Sequence, residues 1–193
     1  MNFEIKNLEK KLRFNLYKNC YVLGVDLAST TGLAVIKTTD KKLELDTHIV
    51  KLPSVDKDED KCDQYVEKIA MMLKWIREFK KGINPKDKTR SILVLENSYL
   101  GFNAYTFGQL KMMGGICFAE LFDLFNVIEI IFATTARKEI GFHSQLKKGT
   151  PRKEKKLELV TFINSILGTE FDSDDICDAI ILALAGLKEK DDD

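Results

Sequence analysis

One stretch, YVLGVDLASTTGLAVIKTT (Tyr21–Thr39), constrains the fold of this chain more than any other. Two apolar runs, Tyr21–Leu27 and Leu33–Ile36, are joined by Ser29-Thr30-Thr31-Gly32, which predicts a β-hairpin with a glycine at its turn. Strand side chains alternate between faces, so Leu23, Val25 and Leu27 share one face and Val22, Gly24, Asp26 and Ala28 the other. The hairpin therefore carries a carboxylate, Asp26, whose neighbours on its own face are small. A buried charge is costly unless it is paired. Two explanations stand at this point: a structural Asp paired with a Lys or Arg elsewhere, or a carboxylate with room beside it for a metal or phosphate.

The rest of the pattern builds a sheet around that hairpin. Leu43–Leu52 alternates and predicts a third antiparallel strand, ended by Pro53; Gln64–Phe79 has helical spacing. Ser91–Leu95 is continuously apolar, as in a buried strand, and ends in Glu96. A long helix over about Asn103–Phe125, a strand at Val127–Ala133, a short helix at Thr134–Ile140 and helices at Lys153–Leu167 and Asp174–Leu187 follow. Residues 1–19 predict a short helical extension, and 188–193 (KEKDDD) a disordered tail. Three antiparallel strands followed by strand–helix–strand alternation predict an α/β fold: one domain over 1–193, with a five-stranded mixed sheet flanked by helices on both faces. With 193 residues, 45% hydrophobic and 31% charged, the chain can bury a sizeable core. No apolar run approaches the roughly 20 residues of a membrane span, and the mixed-charge N-terminus has no signal-peptide character. Cys20, Cys62, Cys117 and Cys177 form no C-x-x-C pair, and with only His48 and His143 beside them a zinc site is disfavoured. Four reduced thiols in a cytoplasmic protein is the expectation.

The acids carry the chemistry. Glu96 closes a buried strand, where open α/β sheets place their ligand crevice. Asp175 and Asp178 lie three apart on one face of the last helix. Asp172, Asp174 and Asp175 have an alternative role in capping that helix. Asp178 does not share it, being the only charge between Ile176 and Leu187. Four carboxylates gathered without counter-ions would repel one another. A pair of hard divalent cations, Mg²⁺ or Mn²⁺, removes the problem. Two such ions about 4 Å apart clamp an in-line phosphoryl displacement. The expectation is metal-dependent phosphodiester hydrolysis.

Four segments then resemble, in order, the motifs of the RuvC family of Holliday-junction resolvases in the ribonuclease H-like superfamily: LGVDLASTTGLAVI, LVLENSYLGFNAYTFGQLKMMGGICFA, GTPRKEKKLELV and DDICDAIILALA. The likeness spans roughly Tyr21 to Leu187. It implies a ribonuclease H-like fold, an endonuclease of branched DNA, and Asp26, Glu96, Asp175 and Asp178 as the metal-binding acids. It also implies Tyr99 as an aromatic that stacks on junction bases, Lys153 as a catalytic lysine near the scissile phosphate, and Arg137 near a further basic position. The N-terminal extension and the stretched loop Gly141–Arg152 depart from typical bacterial members and resemble divergent phage-encoded ones. The setting implied is a bacterial or phage-infected cytoplasm, and the need for a branch-migration helicase as partner stays open.

Formal net charge is zero, so nucleic-acid affinity requires a local basic patch. Lys147–Lys156 supplies one, with six Lys/Arg, among them Lys147, Lys148, Arg152 and Lys153, against the single acid Glu154. The alternative is a solvated charge run. Tyr99, Phe102, Tyr105 and Phe107 cluster after Glu96; an aromatic in a Gly/Asn loop beside a catalytic acid suits base stacking, whereas Phe107 reads as core. The Asn103–Phe125 helix carries apolar residues on more than one face (Tyr105, Leu110, Met113, Phe118, Leu121, Phe122) and a Gly114-Gly115 pair, which predicts a homodimer interface or a helix sandwiched in the monomer. Three rivals remain. An actin-like or sugar-kinase ATPase is disfavoured by length. A ribonuclease H-like nuclease of RNA or linear DNA is not separated by the acids. A junction-binding protein without catalysis is disfavoured by the presence of all four.

Overall fold

A computed structural model describes residues 1–28, 30–51, 61–82, 90–98, 104–147 and 149–190, with the backbone alone at 61–65. In chain order the elements are β1 (Asn2–Glu4), α1 (Ile5–Leu12), β2 (Cys20–Asp26), β3 (Thr31–Thr38), β4 (Lys42–Val50), α2 (Lys61–Gly82), β5 (Arg90–Glu96), α3 (Ala104–Leu121), β6 (Val127–Ile131), α4 (Ala133–Glu139), α5 (Arg152–Leu167) and α6 (Asp174–Leu187). They form one six-stranded mixed sheet in the order β1-β4-β3-β2-β5-β6. The β2–β3–β4 meander is antiparallel, and β5 and β6 continue it in parallel. Helix α3 is the crossover that a parallel β5–β6 pair requires.

Alternation along β2 divides the core in two. Val22, with Ala34, Ile36, Ile92 and Val94, faces a layer containing Ile163 of α5 and Ile180 of α6. Tyr21, Leu23, Val25 and Leu27 face Met72 and Ile76 of α2 and Met113, Cys117 and Leu121 of α3. Cys20, Cys117 and Cys177 are free and buried, and burial pushes each thiol up to about 12, so none is a thiolate at neutral pH. No described helix is long and apolar enough to cross a membrane.

Among the described residues the sheet has six strands where the sequence pattern predicts five. The extra one lies inside the expected N-terminal helix: Asn2, Phe3 and Glu4 pair with Glu44, Leu43 and Lys42 before α1 begins. Ile5, Leu8 and Leu12 then follow helical spacing and are buried, and Arg13 at φ 63° ends the helix in the left-handed conformation. Lys188 to Lys190 is likewise not a loose tail. Lys188 bridges Leu16, the Glu189 amide donates to the Asn15 carbonyl, and Lys190 pairs with Glu129 at 2.6 Å. Residues 191–193 lie outside the described residues. Gly32 is inside β3, paired with Asp26, rather than at the turn.

Candidate active site

Gly32 and Gly24 explain why α6 lies where it does. A Cβ on Gly32 would stand 2.0 Å from the Asp175 carbonyl oxygen, and one on Gly24 would stand 2.3 Å from that of Ala179. Only glycine at both positions lets the helix backbone rest directly on the hairpin. Ser173 caps the helix, accepting from the Ile176 amide at 3.3 Å, so the cap is the serine and not one of the aspartates beside it. Asp174 and Asp175 fall in the first turn and Asp178 one turn on, at the carboxyl ends of β2 and β5. Because Val25 pairs with Leu95 in parallel register, the next residues, Asp26 and Glu96, stand side by side on one face.

One cleft of about 600 Å³ takes in all four predicted acids, Asp26, Glu96, Asp175 and Asp178. Asp26 is 6% exposed. Burial raises its pKa well above the usual carboxylate range, and the hydrogen bond and charge of Glu96, then the charges of Asp178 and Asp175, push the same way. Glu96 is raised by burial too, offset by its bond to Asp26; Asp178 repels it, while Arg137 and the Leu27 amide favour its charged form. Crowding two carboxylates at the ends of adjacent strands thus disfavours the charged form of both. Asp175 and Asp178 are raised, each by burial first. Arg137 of α4 opposes this at Asp178. Its Nη2 donates to Oδ1 at 2.8 Å and Oδ2 at 2.9 Å, and its Nε to Oδ1 at 3.2 Å.

The donor set fits a hard divalent cation: oxygen ligands only, in a group whose mutual repulsion such a cation would reverse. Among the described residues, no three Asp, Glu, His or Cys side chains are gathered closely enough to hold an ion as they stand. Asp178 is engaged by Arg137 instead.

The cations sort differently from the sequence expectation. Arg152, Lys155 and Lys156 line the cleft, together with Ser144 and Glu158. Lys153 is exposed and is not among the lining residues. The reason is helical phase: Arg152 and Lys156 continue the buried stripe Leu159, Ile163 and Ile166, and Lys153 sits to one side of it. Lys156 pairs with Asp174 and so joins α5 to the start of α6. Lys147 is exposed on the preceding loop, which Glu158 anchors by accepting from Ser144 Oγ at 2.5 Å and the Gln145 amide at 2.7 Å. Lys148 and Tyr99 lie outside the described residues. Lys155 and Lys156 belong to the basic run Lys147–Lys156 that the sequence marks, whereas nothing in the sequence points to Lys68. Lys68 is a 7%-exposed lysine of α2 that donates to the Ala28 carbonyl at the rim of the cleft; its depth on an amphipathic helix gives no local signal.

On α3 the two glycines have different jobs. A Cβ on Gly114 would meet Leu27 at 3.2 Å, whereas one on Gly115 would meet nothing within 4 Å. Met113 and Leu121, expected on the interface stripe, are core residues at 1% and 0% exposure. Tyr105, Met112, Phe118 and Phe122 are exposed large apolar residues of this segment.

No known protein-family model matches the chain, and no curated protein sequence does. Among solved structures it is similar to T. thermophilus RuvC in complex with Holliday junction substrate, with a TM-score of 0.60 at 15% identity over 86% of this chain and 91% of that one. It is also similar to a Thermus thermophilus RuvC structure, with a TM-score of 0.54 at 17% identity over 86% and 92% of the two chains. The fold is thus α/β and ribonuclease H-like, of the RuvC type, with six strands in the sheet.

Proposed function

We propose that the protein is a structure-selective endonuclease that resolves four-way (Holliday) or other branched DNA junctions by metal-dependent phosphodiester hydrolysis. The observation that carries this reading is the meeting of Asp26, Glu96, Asp175 and Asp178, from two strands and a helix, in a cleft also lined by Arg137, Arg152, Lys155 and Lys156. Basic side chains draw in a phosphate backbone, and clustered acids select for a cation. That one solved structure of this fold is RuvC bound to a Holliday junction supports branched DNA as the substrate class.

Asp26, Glu96, Asp175 and Asp178 would hold Mg²⁺ or Mn²⁺, two ions per site, which when bound activate water and offset charge on the phosphoryl oxygens. Asp26 and Glu96 form the rigid floor of the site, since both end buried strands. Asp175 and Asp178 come from the helix seated on Gly32. Arg152, Lys155 and Lys156 neutralise phosphates entering the cleft, and Lys156 also holds Asp174. Lys147 and Lys153 extend this cationic surface outward, and in this reading Lys148 contacts phosphate and Tyr99 stacks on a junction base.

The working unit in this proposal is a homodimer. Phe118 and Phe122 are exposed and stacked, with centroids 6.1 Å apart, and Ile130 and Phe132 of the neighbouring edge are exposed as well. Paired across a two-fold axis, such a surface presents two metal sites to one junction. The test is gel-shift competition and Mg²⁺- or Mn²⁺-dependent cleavage on a labelled four-way junction, linear duplex and structured RNA. Preference for the junction supports the proposal. Equal or better use of duplex or RNA replaces it with a ribonuclease H-like nuclease of broader substrate.

A further inference from the structure

We propose that Arg137 is an exchangeable counter-ion that holds Asp178 until a divalent cation takes that carboxylate and then turns to a DNA phosphate, so that metal binding and DNA binding reinforce each other. This rests on the metal-dependent reading of the cleft given above.

The geometry is specific. The guanidinium engages both oxygens of Asp178, at 2.8 and 2.9 Å from one nitrogen and 3.2 Å from another. An ion at Asp178 needs at least one of those oxygens, and two cations sharing one carboxylate repel. The ion and the fork therefore compete. The pair is not sealed in: side-chain exposure is 32% for Arg137 and 17% for Asp178, and both line the cleft. Ala136, beside Arg137, is fully buried, so α4 stays fixed while the arginine side chain swings. A released guanidinium remains in a cleft built for an anionic backbone, and its planar fork binds phosphate in two-point fashion. The coupling is reciprocal: phosphate that captures Arg137 must raise metal affinity by the same factor that metal raises affinity for phosphate.

The test uses the full-length protein and binding alone. Mn²⁺ affinity is measured by electron paramagnetic resonance of the free ion for wild type, Arg137→Gln, Arg137→Lys and Asp178→Asn, with circular dichroism to confirm folding. Removing the competitor is expected to tighten Mn²⁺ binding by about tenfold, within the usual span for coupled sites. Arg137→Lys should fall between, because an ammonium cannot grip both oxygens. In a second arm, four-way-junction affinity is measured by fluorescence anisotropy in EDTA and in Ca²⁺. Wild type should gain more from Ca²⁺ than Arg137→Gln, the difference cancelling any effect of the ion on the DNA. Wild-type Mn²⁺ binding that is weakened by Asp178→Asn but unchanged or weakened by Arg137→Gln overturns this proposal alone. Absence of Mn²⁺ binding in every protein overturns the metal reading beneath it.

Discussion

Replacing Gly32 with alanine tests whether the fold builds the site in the way described. The new methyl carbon would lie 2.0 Å from the Asp175 carbonyl oxygen and 2.6 Å from its carbonyl carbon. Both are backbone atoms, so no rotamer change relieves the overlap. Restoring ordinary contact at 3.4 Å requires the first turn of α6 to lift by roughly 1.4 Å. Overpacking of this kind costs about 1–3 kcal/mol, and a backbone obstruction belongs at the upper end. A loss of about 3 kcal/mol lowers Tm by about 6–12 °C in a chain of this size. The lifted turn carries Asp175 away from Asp26, and a displacement of about 1 Å costs about 100-fold in rate. Thermal unfolding by circular dichroism and single-turnover junction cleavage measure the two effects. Gly115→Ala is the control: its Cβ meets nothing, and the gain in helix propensity should stabilise by about 0.5–1 kcal/mol without slowing cleavage. Wild-type Tm and rate in Gly32→Ala would refute the seating of α6 on β3.

In EDTA, native Asp26, Glu96, Asp175 and Asp178 hold protons more tightly than the unfolded chain, whose carboxyls titrate near about 4. Their contribution is greatest below that value and is lost as pH rises through the raised native values. Tm in EDTA should therefore fall from pH 5 to pH 8, and fall less in Asp26→Asn; a flat or rising profile would contradict the crowding of the acids. Lys155→Glu with Lys156→Glu should flatten the slope of log affinity against log salt by about 2, one contact each, and more than Lys153→Glu does; equal effects would mean that the cleft face of α5 has no special part in binding. Phe118→Glu with Phe122→Glu should convert a dimer into a folded monomer in sedimentation at micromolar concentration, whereas a wild type that is monomeric with and without junction DNA rules out the dimer.

How much of this was legible in the sequence depends on how local the cause is. The hairpin around Asp26 follows from two apolar runs joined by a short polar link and the helix Asp174–Leu187 from its apolar run, and both stand where the pattern places them. Strand β1 was not legible, because three residues show no periodicity and their pairing with β4 is a contact across some 40 residues of chain. The role of Gly32 was misplaced for a related reason. A glycine after Ser-Thr-Thr signals a turn locally, but here it answers the backbone of a helix more than 140 residues later. Among the cations, helical phase from Leu159 and Ile163 points to Arg152 and Lys156 and was available in the sequence. The Arg137–Asp178 fork required the packing of α4 on α6, which no spacing encodes.

In the proposed function, the four acids make a metal-dependent junction nuclease. The most direct measurement is cleavage of an end-labelled four-way junction by wild type and Asp26→Asn, each with Mg²⁺, Mn²⁺ or EDTA, with junction binding recorded in parallel. The expected result is paired nicks near the crossover from wild type with either metal, none in EDTA, and a loss of several orders of magnitude in Asp26→Asn with binding retained. Cleavage by wild type in EDTA, or full cleavage by Asp26→Asn, would contradict it.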